Sequence, residues 1–121
     1  MSAPFDALEK IFHEPSRLAI MSELSSTSKG KTFAELKEAC ALTDGNLSRH
    51  LTALEKSGAV KIKKAFIGVK PCTTASLTER GRRDFLQYLE ALEIVLKEAA
   101  KRAKPEIEEV IPAGALKPSR S

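Results

Sequence analysis

Apolar residues recur along this chain at two periods, and the change from one to the other falls near residue 58. Phe5, Leu8, Ile11 and Phe12 form a 3.6-residue stripe and predict a first helix over residues 4–12. Pro15 disfavours helical geometry at Glu14 and suits a first helical position itself. A second helix is therefore predicted over 15–24, with Leu18, Met21 and Leu24 inward. Residues 25–31, SSTSKGK, have loop composition.

Thr32 and Glu35 have the spacing of a capping box and open a short third helix with Phe33, Leu36 and Ala39 or Cys40 inward. Thr43 caps a fourth helix, and Leu42 before it is placed to staple the turn. Leu47, Leu51 and Leu54 form its buried arc, and Gly58 ends it. The period then drops to two. Val60 and Ile62 alternate with Lys61 and Lys63, residues 68–71 supply turn chemistry, and Thr73, Ala75 and Leu77 alternate with Thr74 and Ser76. Thr78 caps a last long helix over 79–104, which Pro105 is expected to stop. Residues 105–121 carry three prolines and no clean period, and read as a loosely ordered tail. The fold class expected is mainly α with a small β-hairpin, an α+β chain with one domain over residues 1–104.

Charge sharpens this picture. Net charge is only +4, but residues 49–83 hold nine Lys/Arg and two acids, a net of +7. The rest of the chain holds 11 bases and 14 acids, a net of −3. A continuous basic third predicts binding to a polyanion. Two short helices with a tight connection, followed by a basic ribbon, form the arrangement that enters a DNA major groove and steadies itself on the backbone.

With Leu47, Leu51 and Leu54 inward, the opposite face of the fourth helix holds Gly45, Arg49, Thr52 and Lys56. Asn46 and Ser48 lie on its flanks. Asn pairs with adenine and Arg with guanine in two-point geometry. Base contacts are therefore expected from Asp44, Gly45, Asn46, Ser48, Arg49 and Thr52. Backbone contacts are expected from Thr32, Thr43, His50 and Lys56 and from the ribbon lysines Lys61, Lys63, Lys64 and Lys70. Arg80 and Arg82 join them, because with Arg83 they open the last helix, where cations oppose its dipole and phosphate would offset the cost.

The motifs HEPSRLAIMSEL, TFAELKEA, LTDGNLSRHLTALEKSGAVKIKKAF and GVKPCTTASLTERGR stand at residues 13–24, 32–39, 42–66 and 68–82. Through them residues 11–83 resemble the winged-helix domains of small bacterial and archaeal MarR/ArsR-like transcriptional regulators. The resemblance implies a homodimer that contacts double-stranded DNA through the segment 43–56 and through the wing. Some ArsR-type proteins sense metals through cysteine pairs. Here Cys40 has no second Cys or His beside it, so no metal and no cofactor is expected.

The last helix is apolar on more than one side. Phe85, Leu89, Leu92, Leu96, Ala99 and Ala103 make one stripe, with Tyr88 alongside, while Leu86, Ile94 and Val95 lie outside it. Such a helix needs more than one partner. A dimer interface is expected from Phe5, Leu8, Phe12, Leu86, Leu89, Leu92, Ile94, Val95 and Leu96. The function expected is a sequence-specific regulator of transcription, more often a repressor, on a pseudo-palindromic operator. The alternative is a winged-helix module that binds protein and not DNA, which the basic region opposes. No glycine-rich phosphate loop, metal-spaced histidine pair or nucleophile elbow points to an enzyme. No apolar run approaches a membrane span and the start lacks a secretory pattern, so a cytoplasmic location is expected. The sequence names no small-molecule effector.

Overall fold

A computed structural model describes residues 10–110. The elements run α1 (Pro15–Ser25), β1 (Lys31–Thr32), α2 (Phe33–Cys40), α3 (Asp44–Lys56), β2 (Val60–Ile67), β3 (Lys70–Leu77) and α4 (Glu79–Val110). This is the expected winged helix-turn-helix with a long C-terminal helix. Of the expected helix at 4–12, residues 10–12 form a turn, while the rest of it, with Phe5 and Leu8, and the tail beyond Val110 lie outside the described residues.

The helix ends form where the sequence provides caps. Glu14 caps α1, its carboxylate accepting from the Ser16 amide at 2.8 Å and the Arg17 amide at 3.4 Å. Thr32 and Glu35 complete the capping box of α2 in both directions, at 3.1 and 2.8 Å. The Thr43 hydroxyl accepts from the Asn46 amide and opens α3. At the far end of α3, Gly58 takes a left-handed φ of 85°. Its amide donates to Glu55 O and the Ala59 amide to Leu54 O, which closes the helix and turns the chain into β2.

Ile20, Met21, Leu24, Leu36, Leu47, Leu51 and Leu54 form the centre of the core, each between 0 and 3% exposed. Each such aliphatic side chain stabilises the fold by roughly 1.5–3 kcal/mol on burial. In α1 the inward line runs through Ile20, Met21 and Leu24, while Leu18 is half-buried at the edge. Apolar residues cover so much of α1 that periodicity alone does not pick the inward arc.

The sheet has the order β1-β3-β2, all antiparallel. β1 adds Lys31 and Thr32 opposite Ala75 and Thr74, where the sequence reads as the end of a loop and a helix cap. Two residues are too few to set up a period. The hairpin closes at Ile67↔Lys70 around Gly68 and Val69. Gly68 has φ 65° and Val69 is not in the left-handed region, the sign pattern of a type II′ turn. Pro71 therefore belongs to β3 and not to the turn. It opposes Phe66, and the pair next to a closing hydrogen-bonded pair exchanges no backbone bonds, so the missing N–H is tolerated.

The inward face of α4 runs through Phe85, Tyr88 and Ala91, with Leu92 half-buried beside them. This corrects the expected stripe, since Leu89 and Leu96 are exposed and Tyr88 is core. Aromatic contact decides the rotation. Phe12 meets Phe85 edge-on at 5.4 Å and Tyr88 at 5.7 Å, and the Tyr88 hydroxyl bonds His13 Nδ1 at 2.9 Å. Phe12 is thus 2% exposed within one chain and is withdrawn from the expected dimer face. Nor does Pro105 stop α4, which continues to Val110. A proline deletes one N–H bond and bends a helix, and good helix formers on both sides carry it through.

Candidate nucleic-acid interface

The face of α3 away from the core presents Asp44, Gly45, Asn46, Ser48, Arg49, Thr52 and Lys56, all exposed. Arg49 donates to Asn46 Oδ1 at 3.3 Å, which holds the two side chains together on the outer surface. Thr52 donates to Ser48 O at 2.9 Å. Asp44 pairs with Lys37 at 2.9 Å, so the carboxylate nearest the helix start is balanced by a base from α2. Gly45 has nothing within 4 Å of the position a Cβ would take.

Beside α3 stands the β2–β3 hairpin. Lys61 and Lys63 point away from the core, and Lys64 and Lys70 are exposed nearer the tip. An open groove of about 560 Å³ separates helix and hairpin. Ser48, Thr52 and Glu55 form its helical side, Ile62, Lys64 and Thr73 its ribbon side. Two of the expected base-contacting residues, Ser48 and Thr52, and one wing lysine, Lys64, therefore border the same groove.

Several expected backbone contacts are engaged within the chain. His50 is 4% exposed on the inner side of α3, which removes it from any surface contact with phosphate. Its Nδ1 lies 3.3 Å from Arg17 Nη1 and 3.3 Å from Glu14 Oε2, and Arg17 Nε donates to Ile11 O at 2.6 Å. This cluster ties the start of α1 to the back of α3. The Thr32 hydroxyl accepts from the Glu35 amide in the α2 cap, as that of Thr43 accepts from Asn46, which still leaves each O–H as a donor. Arg80 pairs with Asp84 at 3.4 Å, and Arg82 donates to Ser25 O and Thr27 O at 3.2 and 3.1 Å. These partners offset the cost of cations at the start of α4 without external phosphate.

Burial lowers the His50 pKa from its ordinary 6.5. Glu14 opposes the shift, while Arg49 and Arg17 reinforce it. At neutral pH the ring is uncharged, and we assign Nδ1 as the acceptor from Arg17. Burial of Glu14 works to raise its pKa, but the Ser16 amide, His50 and Arg17 outweigh it and the net shift is downward. Unfolding frees His50 to bind a proton that the folded chain resists. Its contribution to stability is thus complete above pH 6.5 and is lost as pH falls below that value. Urea unfolding at pH 7.5 and 5.5 is expected to show this loss in the wild type and a smaller one in His50→Gln. Equal losses in the two proteins would contradict the assignment.

The sequence reading missed the tip of the hairpin. Phe66, Ile67 and Val69 are 73, 72 and 92% exposed around Gly68. The signal was the run AFIGV, where apolar residues stop alternating with polar ones. Cys40, half-buried, has its thiol pKa raised by burial and by Glu23, which suits a packing residue rather than a reactive one. Among the described residues, no group of three or more His, Cys, Asp or Glu side chains is placed to hold a metal, and no helix is long and apolar enough to cross a membrane.

The fold is that of a winged-helix DNA-binding domain, a class of binding proteins and not of enzymes. The chain belongs to the winged helix DNA-binding domain family, which it matches over residues 16–96. An uncharacterised protein of Methanocaldococcus jannaschii is 39% identical over 80 residues, 66% of this chain and 86% of that one. A transcriptional regulator homologue from Pyrococcus horikoshii is similar in structure, with a TM-score of 0.71 and 29% identity, covering 78% of this chain and 93% of that one. A protein described as a MarR-family transcriptional regulator from Enterococcus faecalis shares the fold at a TM-score of 0.63 and 22% identity, covering 84% and 86%.

Proposed function

We propose that this protein is a homodimeric, sequence-specific regulator that represses transcription by occupying a pseudo-palindromic operator. The carrying observation is that the exposed polar face of α3 and the lysine-bearing hairpin border one groove. α3 enters the major groove with Asp44, Gly45, Asn46, Ser48, Arg49 and Thr52 toward base edges. The open space at Gly45 supports this, because neither a positive φ nor a neighbouring atom of the chain requires glycine there, whereas close approach of a duplex does. Lys56, Lys61, Lys63, Lys64 and Lys70 contact phosphates, with Thr43 at the helix start. Such a protein works in the cytoplasm, beside the chromosome.

The dimer rests on α4. Its 32 residues extend for about 48 Å. Past Leu92 nearly all its described residues are exposed. Leu86, Leu89 and Leu96 are 57, 38 and 59% exposed on one side, with Ile94 on another and Val95 half-buried. A stripe of this kind on a helix that leaves its own core is covered most economically by the same helix of a second copy. Leu89→Glu with Leu96→Glu is expected to halve the mass in sedimentation while circular dichroism is retained. It should also weaken binding to a two-half-site duplex far more than binding to a single half-site. A monomeric wild type, or a double variant that remains dimeric, would sink the dimer.

A further inference from the structure

The apolar wing tip is left without a role by the contacts described above. Phe66 opposes Pro71, and Ala65 opposes Cys72, in the last rungs of the hairpin before Gly68 and Val69. Cross-strand partners share a face and neighbours along a strand alternate. Phe66 and Pro71 therefore stand on the face that continues from Ile62 and Lys64, the side bordering the groove beside α3. Ile67 stands on the opposite face and Val69 in the turn itself. A ribbon end meant to lie flat on another surface needs apolar residues on one face only. This one is apolar on both faces and at its end, so it suits a slot that surrounds it.

The charges beside the tip identify the slot. Lys63, Lys64 and Lys70 flank it and all are exposed, and no carboxylate occurs between Glu55 and Glu79 in the sequence. Apolar wedges ringed by cations fit the step between two base pairs, where stacked bases offer apolar faces and phosphates lie on either side. A two-residue turn makes the end of the hairpin narrow enough to enter a groove. We propose that the wing is a wedge: Phe66, Ile67 and Val69 enter the minor groove, partly unstack a base step and kink the duplex. This rests on the DNA-binding reading above and adds to it an operator read partly through its deformability. Flexible pyrimidine–purine steps would be favoured where the wing lands, without hydrogen bonds to those bases.

The test uses the full chain and a duplex of roughly 25 base pairs from its own upstream region, carrying a fluorophore at each end. Wild-type protein is expected to raise energy transfer between the ends, as a kink of roughly 20–90° brings them closer. Phe66→Ser with Val69→Ser changes no charge and touches no buried residue. This double variant is expected to bind about tenfold more weakly, leaving the duplex straight. Its affinity should fall with salt at the wild-type slope, because the lysine contacts persist. Binding by the wild type with no change in energy transfer, or an equal bend with the double variant, would overturn the wedge and leave the DNA reading intact. A wild type that binds no duplex would overturn both. A change in oligomeric state without DNA, caused by the two serines, would make the tip a protein contact and overturn the wedge.

Discussion

Replacing Arg49 by alanine is expected to lower the ratio of specific to non-specific DNA binding by about fivefold to 150-fold, the roughly 1–3 kcal/mol of a two-point base contact. Arg49 stands on the outer face of α3, with its guanidinium held against Asn46 Oδ1. Both side chains are donors or acceptors that can be shared with base edges, and neither supports the core. Lys63→Ala should behave differently. Lys63 faces away from the core on β2, opposite Thr74, and its ammonium suits a phosphate. Its loss should weaken binding to all duplexes alike and reduce the salt slope by about one. Titrations of both variants on operator and scrambled duplexes separate the two behaviours. Equal loss of discrimination from both would contradict the division between helix and wing.

Gly81→Ala is expected to destabilise the fold by about 1–3 kcal/mol, as overpacked sites do. The first turn of α4 sits directly on the end of α3. Thr78 N–H donates to Ala59 O at 3.1 Å, the Thr78 hydroxyl donates to Gly58 O at 2.7 Å, and the same hydroxyl accepts from the Gly81 amide at 2.8 Å. Gly81 is buried in this junction, and a Cβ there would run into the backbone carbonyl of Ala59. The helix cannot retreat without losing those bonds and tilting α4. At about 4–8 °C per kcal/mol for a domain of this size, thermal melting should register the change clearly. Gly45→Ala is the control. With open space around it, that substitution is expected to leave Tm unchanged or raised, since alanine is the better helix former. A Gly81→Ala protein melting with the wild type would refute this account of the junction.

The elements that sequence made legible are those with a strong local cause. Thr32 with Glu35, Thr43, and Gly58 each mark a helix end by chemistry confined to a few residues, and the caps form there. The period of two in Val60–Lys63 and Thr73–Leu77 gave the hairpin. What sequence could not supply depends on distant partners. Tyr88 becomes core, and Leu89 does not, because Phe12 and His13 lie some 75 residues earlier. β1 exists only because β3 offers Thr74 and Ala75. His50 lies beside the arc of Leu47, Leu51 and Leu54, and whether a histidine there faces solvent depends on Glu14 and Arg17 at the start of another helix. Arg80 and Arg82 looked unpaired at a helix start until Asp84 and the carbonyls of Ser25 and Thr27 came beside them.

The candidate site was legible to the same extent. Exposure of the α3 face follows from burying Leu47, Leu51 and Leu54, so helical geometry alone orients Asn46, Arg49 and Thr52. The apolar wing tip is not legible from period, because the alternation of apolar and polar residues ends at Lys63 and the run AFIGV has none.

The measurement that bears most directly on this reading is fluorescence anisotropy of the protein on a labelled duplex from its own upstream region and on a scrambled duplex, across a salt series. The account predicts tighter binding to the upstream duplex, with both affinities falling steeply as salt rises. Absence of binding to either duplex at low salt would contradict it and turn attention to a protein partner for the same surface.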